Sequence, residues 1–363
     1  MEDFIRDLVA AIGPLDEGAM AEARARQDEL AKPPHSLGRL EDISVRFSGI
    51  VGGIAGAAKK RRVLIFSADN GVVAEGVASA PQSVTLMQTI NFARGLTGVA
   101  TLARHFHTEL HVVDVGVNAD FEHPGVENRK IACGTRNIAK EAAMTREEAL
   151  LAIRVGVETA EKAKRDGIEI VGIGEMGIGN TTTSSAVLSC LTGLPPEMTV
   201  GRGGGVNDTG FARKREIVTE AIARERPDPA DPVDVLAKVG GFDLAAMAGA
   251  YLGAARARLP VVIDGYISAV AALCAFRLCP RAADYMFASH DSCEAGYARA
   301  MESLALSPML ELEMRLGEGS GCPIAFEVID AALTVLREMG TFADARIDDG
   351  YLAEIRRDSR LQR

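Results

Sequence analysis

A glycine-rich stretch with one carboxylate, Glu175, lies near the middle of the chain and has the composition of a ligand-binding turn. It follows a β-branched run at 168–171 that is typical of a strand, and it leads into an apolar segment at 186–191 that is typical of a helix. Glycines let the backbone approach a ligand closely, and the free N–H groups at a helix start can hold a phosphate. Because an acid beside an anion is electrostatically unfavourable, we expect Glu175 to take part in chemistry.

The glycine spacing argues against two common nucleotide sites. Gly172, Gly174 and Gly177 satisfy G-x-G-x-x-G, but a dinucleotide fold needs an acidic residue at a strand end about 20 residues later, where this chain has a loop. A P-loop needs a lysine where this chain has Asn180. The stretch therefore predicts a site for the phosphate of a small nucleotide, with a purely structural glycine turn as the alternative.

Polar residues also follow several predicted strands. Asp69 and Asn70 come directly after a buried-type strand, and the carboxyl end of a parallel strand is where α/β folds bind ligands. Asp264 repeats this strand–acid–glycine pattern, and Ser289 stands at the end of a further strand. These positions are candidate binding residues.

Two more loops carry candidate groups. A second glycine-rich loop at 201–205 contains Arg202 and could close over a bound anion. Lys214, on the helix that follows, is a candidate contact for a phosphate or carboxylate, and a solvated helix face fits its spacing equally well. Glu318 lies between glycines and forms a second carboxylate held by flexible backbone.

Composition limits the classes of function. The 363 residues carry a net charge of −10, which argues against bulk attraction to nucleic acid or acidic membranes. Six cysteines without C-x-x-C spacing indicate buried thiols in a reducing cytosol, and neither a signal peptide nor a membrane span is expected. His105, His107 and His111 do not fall on one face, so we predict no metal site.

Strand-like segments near 63, 111, 168, 260, 284 and 309 alternate with helical ones, among them a single helix at 84–106. This alternation predicts an α/β protein with a mostly parallel, Rossmann-like sheet and helices on both faces. We expect a large nucleotide-binding domain at 61–305. Segments 1–60 and 306–363 would form a small, mainly helical lobe that carries the Glu318 loop.

Ten ordered motifs, spread over nearly the whole chain, resemble those of the nicotinate-nucleotide–dimethylbenzimidazole phosphoribosyltransferase family. They are K-P-P-x-S-L-G-R-L-E at 32–41, A-D-x-G-V at 68–72, N-F at 91–92, D-V-G-V at 114–117, G-E-M-G-I-G-N-T-T at 174–182, G-R-G at 201–203, G-G-F-D at 240–243, D-G at 264–265, S-H-x-S-x-E-x-G at 289–296 and R-L-G-E-G-x-G at 315–321.

The resemblance implies that ribose 5-phosphate moves from nicotinate mononucleotide to 5,6-dimethylbenzimidazole. The products are α-ribazole 5′-phosphate, used in cobalamin assembly, and nicotinate. Glu318 would be the general base, and Glu175 would support charge on the ribose or act as a secondary acid or base. The implied nucleotide-binding residues are Gly177, Ile178, Gly179, Asn180, Thr181, Thr182, Arg202, Gly203, Gly204, Gly205, Lys214, Asp264 and Ser289. No metal or cofactor is implied, and a cytoplasmic homodimer is expected.

The predicted base pocket differs from the family pattern. Its residues would be Ala80, Pro81, Met87, Gln88 and Leu316. Ala80 stands where the family has an aromatic residue, and the family order Gln-Met is reversed at 87–88. A related benzimidazole, a purine or a phenol therefore remains an alternative acceptor. A non-catalytic or heteromeric nucleotide-binding paralogue is the other alternative.

Overall fold

The computed structural model describes residues 1–54 and 56–352, so part of the predicted terminal lobe, 353–363, lies outside the described residues. Six strands of the described chain form one sheet in which every neighbouring pair is parallel. The strands are β1 (Arg61–Ala68), β2 (Glu109–Gly116), β3 (Val126–Asn128), β4 (Ile170–Met176), β5 (Val261–Ile263) and β6 (Met286–Ala288). The predicted α/β class and parallel sheet are confirmed.

The helices that surround the sheet are α1 (Glu2–Ala10), α2 (Glu17–Glu29), α3 (Arg39–Val51), α4 (Ser83–Ala93), α5 (Gly98–His105), α6 (Arg146–Arg165), α7 (Asn180–Thr192), α8 (Pro196–Thr199), α9 (Asp208–Glu225), α10 (Pro232–Val239), α11 (Phe242–Arg256), α12 (Tyr266–Leu278), α13 (Tyr297–Leu304), α14 (Cys322–Glu338) and α15 (Phe342–Ala345). Short 3₁₀ turns lie at Gly71–Glu75, Pro280–Tyr285 and Gly350–Leu352. Within the described residues, no helix combines the length and apolarity required to cross a bilayer.

Two local predictions were wrong, and one strand was not predicted. The single helix at 84–106 is divided into α4 and α5 by a turn in which Gly95 has a φ of +75°. The strand expected near 309 is only an isolated bridge between His290 and Leu310. Strand β3 was missed, because Val-Glu-Asn is too short and polar to stand out in the sequence.

The strand order, β3-β2-β1-β4-β5-β6, places the binding region. The chain builds outward from β1 through β2 to β3, and then returns to add β4, β5 and β6 on the other side of β1. At such a reversal the connections leave in opposite directions and open a crevice beyond the carboxyl ends of the strands. Glu175, near the end of β4, lies at this point.

Glycines of β4 bring the second acidic loop onto the sheet. A Cβ on Gly174 would lie 2.5 Å from the carbonyl oxygen of Glu318, and one on Gly172 would collide with Cys322. Because both glycines lack a side chain, the segment before α14 packs directly on the strand that carries Glu175. These two glycines therefore admit a neighbouring segment of the chain rather than a ligand.

The terminal segments share one apolar core with the sheet. Leu8 and Phe47 from the amino-terminal helices belong to the same buried cluster as Phe66 of β1 and Phe326 of α14. Arg258 also crosses between them and donates hydrogen bonds to the carbonyl oxygens of residues 14, 49 and 50. The division into two domains stays a prediction.

Candidate active site

A cavity of about 380 Å³ opens at the carboxyl ends of the strands, and both predicted acids line it. The backbone N–H of Glu318 donates to Oε1 of Glu175 at 3.2 Å, although the residues are 143 positions apart. Predicted residues that line the cavity are Glu175, Gly177, Ile178, Gly179, Asn180, Thr181, Arg202, Gly203, Gly204, Asp264, Glu318, Ala80, Gln88 and Leu316.

The Glu318 loop has an unusual backbone that is held in place by Asp264. Gly317, Glu318 and Gly319 have φ values of +79°, +65° and +84°, so three consecutive residues are left-handed. Such a turn favours glycine on both sides of the acid. The Asp264 carboxylate accepts hydrogen bonds from the N–H groups of Gly319, at 3.0 Å, and Gly321, at 2.6 Å.

The Glu318 carboxylate is buried and bound by two donors. The side-chain amide of Gln88, on α4, donates to Oε1 at 2.7 Å. The backbone N–H of Val99, in the first turn of α5, donates to Oε2 at 3.2 Å. The break between α4 and α5 thus brings a helix start to the acid, and such a start stabilises negative charge.

Glu175 belongs to a buried acidic cluster. Asn180 donates from Nδ2 to Glu175 Oε2, at 2.5 Å, and to Asp243 Oδ2, at 3.0 Å. Burial, together with the neighbouring Asp243 and Asp264, raises the pKa of Glu175 to about 8, although the hydrogen bonds from Asn180 and Glu318 oppose this rise. Burial likewise raises the pKa of Asp243 to about 6 and that of Asp264 to about 7. At pH 7 Glu175 is therefore mostly protonated.

The part of the cavity formed by the start of α7 suits a phosphate. Helix α7 begins after Gly179, whose φ is +93°, and its first residues line the cavity. Lys214 is fully buried, and its Nζ donates to Thr181 Oγ1 at 2.7 Å and to the Gly201 carbonyl at 3.1 Å. Burial lowers the pKa of Lys214 to about 8, opposed by the charge of Glu294. The N–H groups at the start of α7 form an anion seat, and the largely protonated lysine behind Thr181 adds positive charge next to it.

Six predicted residues lie outside the cavity lining. Lys214 reaches the site only through Thr181 and Gly201, and Thr182 is fully buried in α7. The Ser289 hydroxyl donates to the Asp264 carbonyl at 3.1 Å, and Gly205 and Pro81 are exposed on loops. Met87 is 61% exposed, because it points away from the helix face that presents Gln88. Their assigned roles stay predictions.

The strand-end acids Asp69 and Asp114 support loops rather than the cavity. Asp69 Oδ2 accepts from the Asn118 N–H at 2.8 Å, and Asp114 Oδ1 accepts from the N–H groups of Gly116 and Val117. Asn70 accepts a hydrogen bond from Thr183 at the base of α7.

Several residues that were not predicted as site residues line the cavity. They are Tyr266, His290, Ser292, Glu294 and Arg315 among others. The last four lie within the S-H-x-S-x-E-x-G and R-L-G-E-G motifs, so the motifs signalled them without indicating which side chains face the ligand. Tyr266 follows the D-G motif and carried no signal of its own.

An anion seat and a pair of acids in one cavity define a group-transfer enzyme that acts on a phosphorylated substrate. The family model described as "Phosphoribosyltransferase" matches residues 12–347. A nicotinate-nucleotide–dimethylbenzimidazole phosphoribosyltransferase from Clostridium perfringens is 52% identical over 97% of this chain and 98% of its own length. An enzyme of the same name from Ruminiclostridium cellulolyticum is 52% identical over 94% of this chain and 97% of its own length.

Comparison of the fold with solved structures identifies the same family. The crystal structure of the enzyme of that name from Thermus thermophilus matches with a TM-score of 0.87 and 40% identity, covering 93% of this chain and all of the other. The chain belongs to the nicotinate-nucleotide–dimethylbenzimidazole phosphoribosyltransferase family.

Proposed function

We propose that this protein transfers ribose 5-phosphate from nicotinate mononucleotide to 5,6-dimethylbenzimidazole or a related lower-ligand base of cobalamin. The products are α-ribazole 5′-phosphate and nicotinate. The observation that carries the proposal is the single cavity that is lined by Glu318, Glu175 and the anion seat of α7. The proposal is also supported by relatives whose names state this activity, because the chain is 52% identical to them over almost their whole length.

In the proposed reaction, one ring nitrogen of the base attacks the anomeric carbon while the bond from that carbon to the nicotinate nitrogen breaks. The other ring nitrogen loses its proton to the Glu318 carboxylate. Nicotinate leaves readily because its ring nitrogen is cationic in the nucleotide and neutral after release. The bonds from Gln88 and Val99 support this role, since they fix the orientation of the acceptor.

Glu175 is proposed to position the base loop rather than to carry negative charge. Its Oε1 accepts from the N–H of Glu318, and its raised pKa favours the neutral acid at pH 7. Of the two roles considered from the sequence, this protonation state favours a secondary acid over electrostatic support of a cationic ribose.

The acceptor side of the cavity is formed by small and amide side chains. Ala80 and Gln88 line it, and Leu316 closes its outer edge with 57% of its surface exposed. An alanine leaves room for rings larger than an imidazole, so the acceptor is proposed as a class of bicyclic azoles.

Product analysis tests the function. The protein is incubated with nicotinate mononucleotide and a panel of azoles, purines and phenols, without added metal, and products are separated by mass and chromatography. We expect α-ribotides with benzimidazoles. Preference for phenols would contradict the named acceptor, and the absence of any α-ribotide would contradict the enzymatic proposal and favour a nucleotide-binding paralogue.

We also propose a homodimer in the cytoplasm. The exposed apolar side chains of Met87, Leu96 and Leu316 support an interface between two copies of the chain. Six unpaired cysteines support a reducing compartment. Sedimentation equilibrium at micromolar concentration tests the dimer, and a monomeric mass would contradict it.

A further inference from the structure

One wall of the cavity carries polar groups that the proposed reaction has not used. Three side chains of the segment after β6, those of His290, Ser292 and Glu294, line this wall. Within the described chain, the Ser292 hydroxyl and the Glu294 carboxylate have no hydrogen-bond partner, and His290 uses only its Nδ1 atom. This wall therefore offers free hydrogen-bonding capacity to a ligand.

The hydrogen bonds of Ser289 determine which nitrogen of His290 carries the proton. The Ser289 hydroxyl has one hydrogen, which it donates to the Asp264 carbonyl at 3.1 Å, because a carbonyl can only accept. At the 3.0 Å contact between Ser289 Oγ and His290 Nδ1, the hydrogen must therefore come from Nδ1. Burial lowers the pKa of His290 below its ordinary value of 6.5, so the ring is neutral at pH 7. Its Nε2 atom is then a hydrogen-bond acceptor.

The free Nε2 atom lies beside Gly265 in the cavity wall. The His290 side chain is 1% exposed, and Nε2 lies 3.8 Å from the position that a Cβ on Gly265 would occupy. Gly265 itself lines the cavity. A side chain at position 265 would be in van der Waals contact with Nε2, so a glycine there leaves space beside this atom for a ligand group.

The wall runs from the Glu318 loop to the phosphate seat. Its first residue, His290, packs against Gly321 of the Glu318 loop, where a Cβ would collide with the ring. Its last residue, Glu294, packs against Gly201, whose carbonyl accepts from Lys214. A ribose 5-phosphate with its phosphate at α7 and its anomeric carbon at Glu318 would lie along this wall. The 2′-hydroxyl, beside the anomeric carbon, would be the hydroxyl nearest to His290.

We propose that Nε2 of His290 accepts a hydrogen bond from the 2′-hydroxyl of the ribose and so selects ribonucleotide over 2′-deoxyribonucleotide donors. This inference rests on the proposed function and adds a specificity-determining residue to it. The glycines at 265 and 321 leave room for the ligand and the imidazole, respectively.

Two variants separate the roles of the two ring nitrogens. His290→Asn keeps an amide near the Nδ1 position that can donate to Ser289, but it does not reach the position of Nε2. His290→Gln reaches that position with an amide that can accept. The matched control is His105→Gln, on an exposed residue at the end of α5. The measurement is kcat/KM with nicotinate mononucleotide and with its 2′-deoxy analogue, together with the dissociation constant of each.

The preference for the ribonucleotide should fall about tenfold in His290→Asn, as expected for one lost hydrogen bond. It should stay within about threefold of the wild-type value in His290→Gln and be unchanged in His105→Gln. Comparing ratios between variants cancels the greater intrinsic reactivity of deoxyribosides and any loss of folded protein.

An unchanged preference in His290→Asn would overturn the proposal, as would an equal loss in both His290 variants. If His290→Asn does not fold, His290→Gln decides the outcome. A tenfold loss of the ribonucleotide preference in His290→Gln would overturn the proposal. A retained preference, together with tighter binding of the ribonucleotide than of its 2′-deoxy analogue by the wild-type protein, would support it. If wild-type protein does not use nicotinate mononucleotide at all, the proposed function fails, which is a distinct result.

Discussion

At the scale of single residues, the site depends on two glutamates in different environments. Glu318 is bound by an amide and by a helix N–H, both of which stabilise a carboxylate. Glu175 is enclosed with Asp243 and Asp264, so that burial and like charges favour its neutral form. Two acids held in such different environments are typical of enzymes that move protons.

Replacement of the proposed base tests its role directly. Glu318→Gln keeps the shape of the side chain but removes the proton acceptor, so kcat should fall by roughly 10²–10⁴-fold. The dissociation constant of nicotinate mononucleotide should change little, because the two donors to the Glu318 carboxylate, Gln88 and Val99, are not part of the anion seat. Single-turnover kinetics and calorimetric titration measure the two quantities, and normal turnover would remove Glu318 from the base role.

The pKa of Glu175 predicts how its burial affects stability. Its pKa rises from an ordinary 4.5 to about 8 on folding, so the contribution to stability is complete below pH 4.5 and is lost as the pH rises through about 8. Glu175→Gln cannot ionise, so the variant avoids this pH-dependent loss of folding stability, which is on the order of a few kcal/mol. The Tm of the variant relative to wild type should therefore increase between pH 5 and pH 9.

Thermal unfolding over this pH range measures the effect. Glu220→Gln, at an exposed position of α9, is the control and should show a constant difference in Tm. A Tm difference for Glu175→Gln that does not change with pH would show that Glu175 has an ordinary pKa in the folded protein.

At the scale of elements, the site depends on the contact between β4 and the loop before α14. Gly174→Ala would place a Cβ 2.5 Å from the Glu318 carbonyl oxygen, so the loop must move. A displacement of about 1 Å at a catalytic group can lower kcat by about 100-fold, and the strain should destabilise the fold by about 1–3 kcal/mol.

A second glycine separates the effect on the site from the effect on stability. Gly253→Ala in α11 would place a Cβ 2.7 Å from the carbonyl oxygen of Val157, a similar clash far from the cavity. It should lower Tm while the folded enzyme keeps its kcat. Equal losses of kcat in the two variants, measured well below both Tm values, would mean that stability alone explains them.

At the scale of the whole molecule, the predicted division into two domains implies that the terminal helices unfold separately from the sheet. Arg258 connects them, with three hydrogen bonds to the carbonyl oxygens of residues 14, 49 and 50 at 2.7 to 3.1 Å. Arg258→Asn removes these bonds, and asparagine tolerates the backbone there, where φ is +49°. If segment 1–60 belongs to a separate lobe, its amides should exchange faster in the variant.

Hydrogen exchange followed by mass spectrometry provides the measurement. Peptides from α1 to α3 should gain exchange by about tenfold or more, corresponding to a loss of roughly 1.4 kcal/mol or more, while peptides from β1 and β4 stay protected. Arg281→Ala, at an exposed position, is the control. A uniform increase throughout the chain would indicate one cooperative unit and would contradict the predicted domain division.

Much of the fold could be predicted from local patterns, because strand and helix periodicity depends on neighbouring residues. The alternation of apolar strands with helices indicated a parallel sheet, and the glycines around Glu318 indicated a turn that carries an acid. The exposure expected for this acid was wrong, because Glu318 is buried, and Glu175 lies in β4 rather than in a turn. The turn at Gly95 was not predicted, because a single glycine hardly disturbs the pattern of an apolar run. The strand β3 was not predicted either, because its three residues are too few to show a period.

Which side chains meet was decided only by tertiary structure. Strand order brings Glu175 to Glu318, and the packing of α9 on α7 buries Lys214 behind Thr181 instead of in the cavity. The hydrogen bonds of Ser289 orient His290 toward the ligand space. Such contacts join residues far apart in the chain, so their geometry depends on how whole elements pack, whereas the glycine turns and helix caps are specified by residues within a few positions of each other.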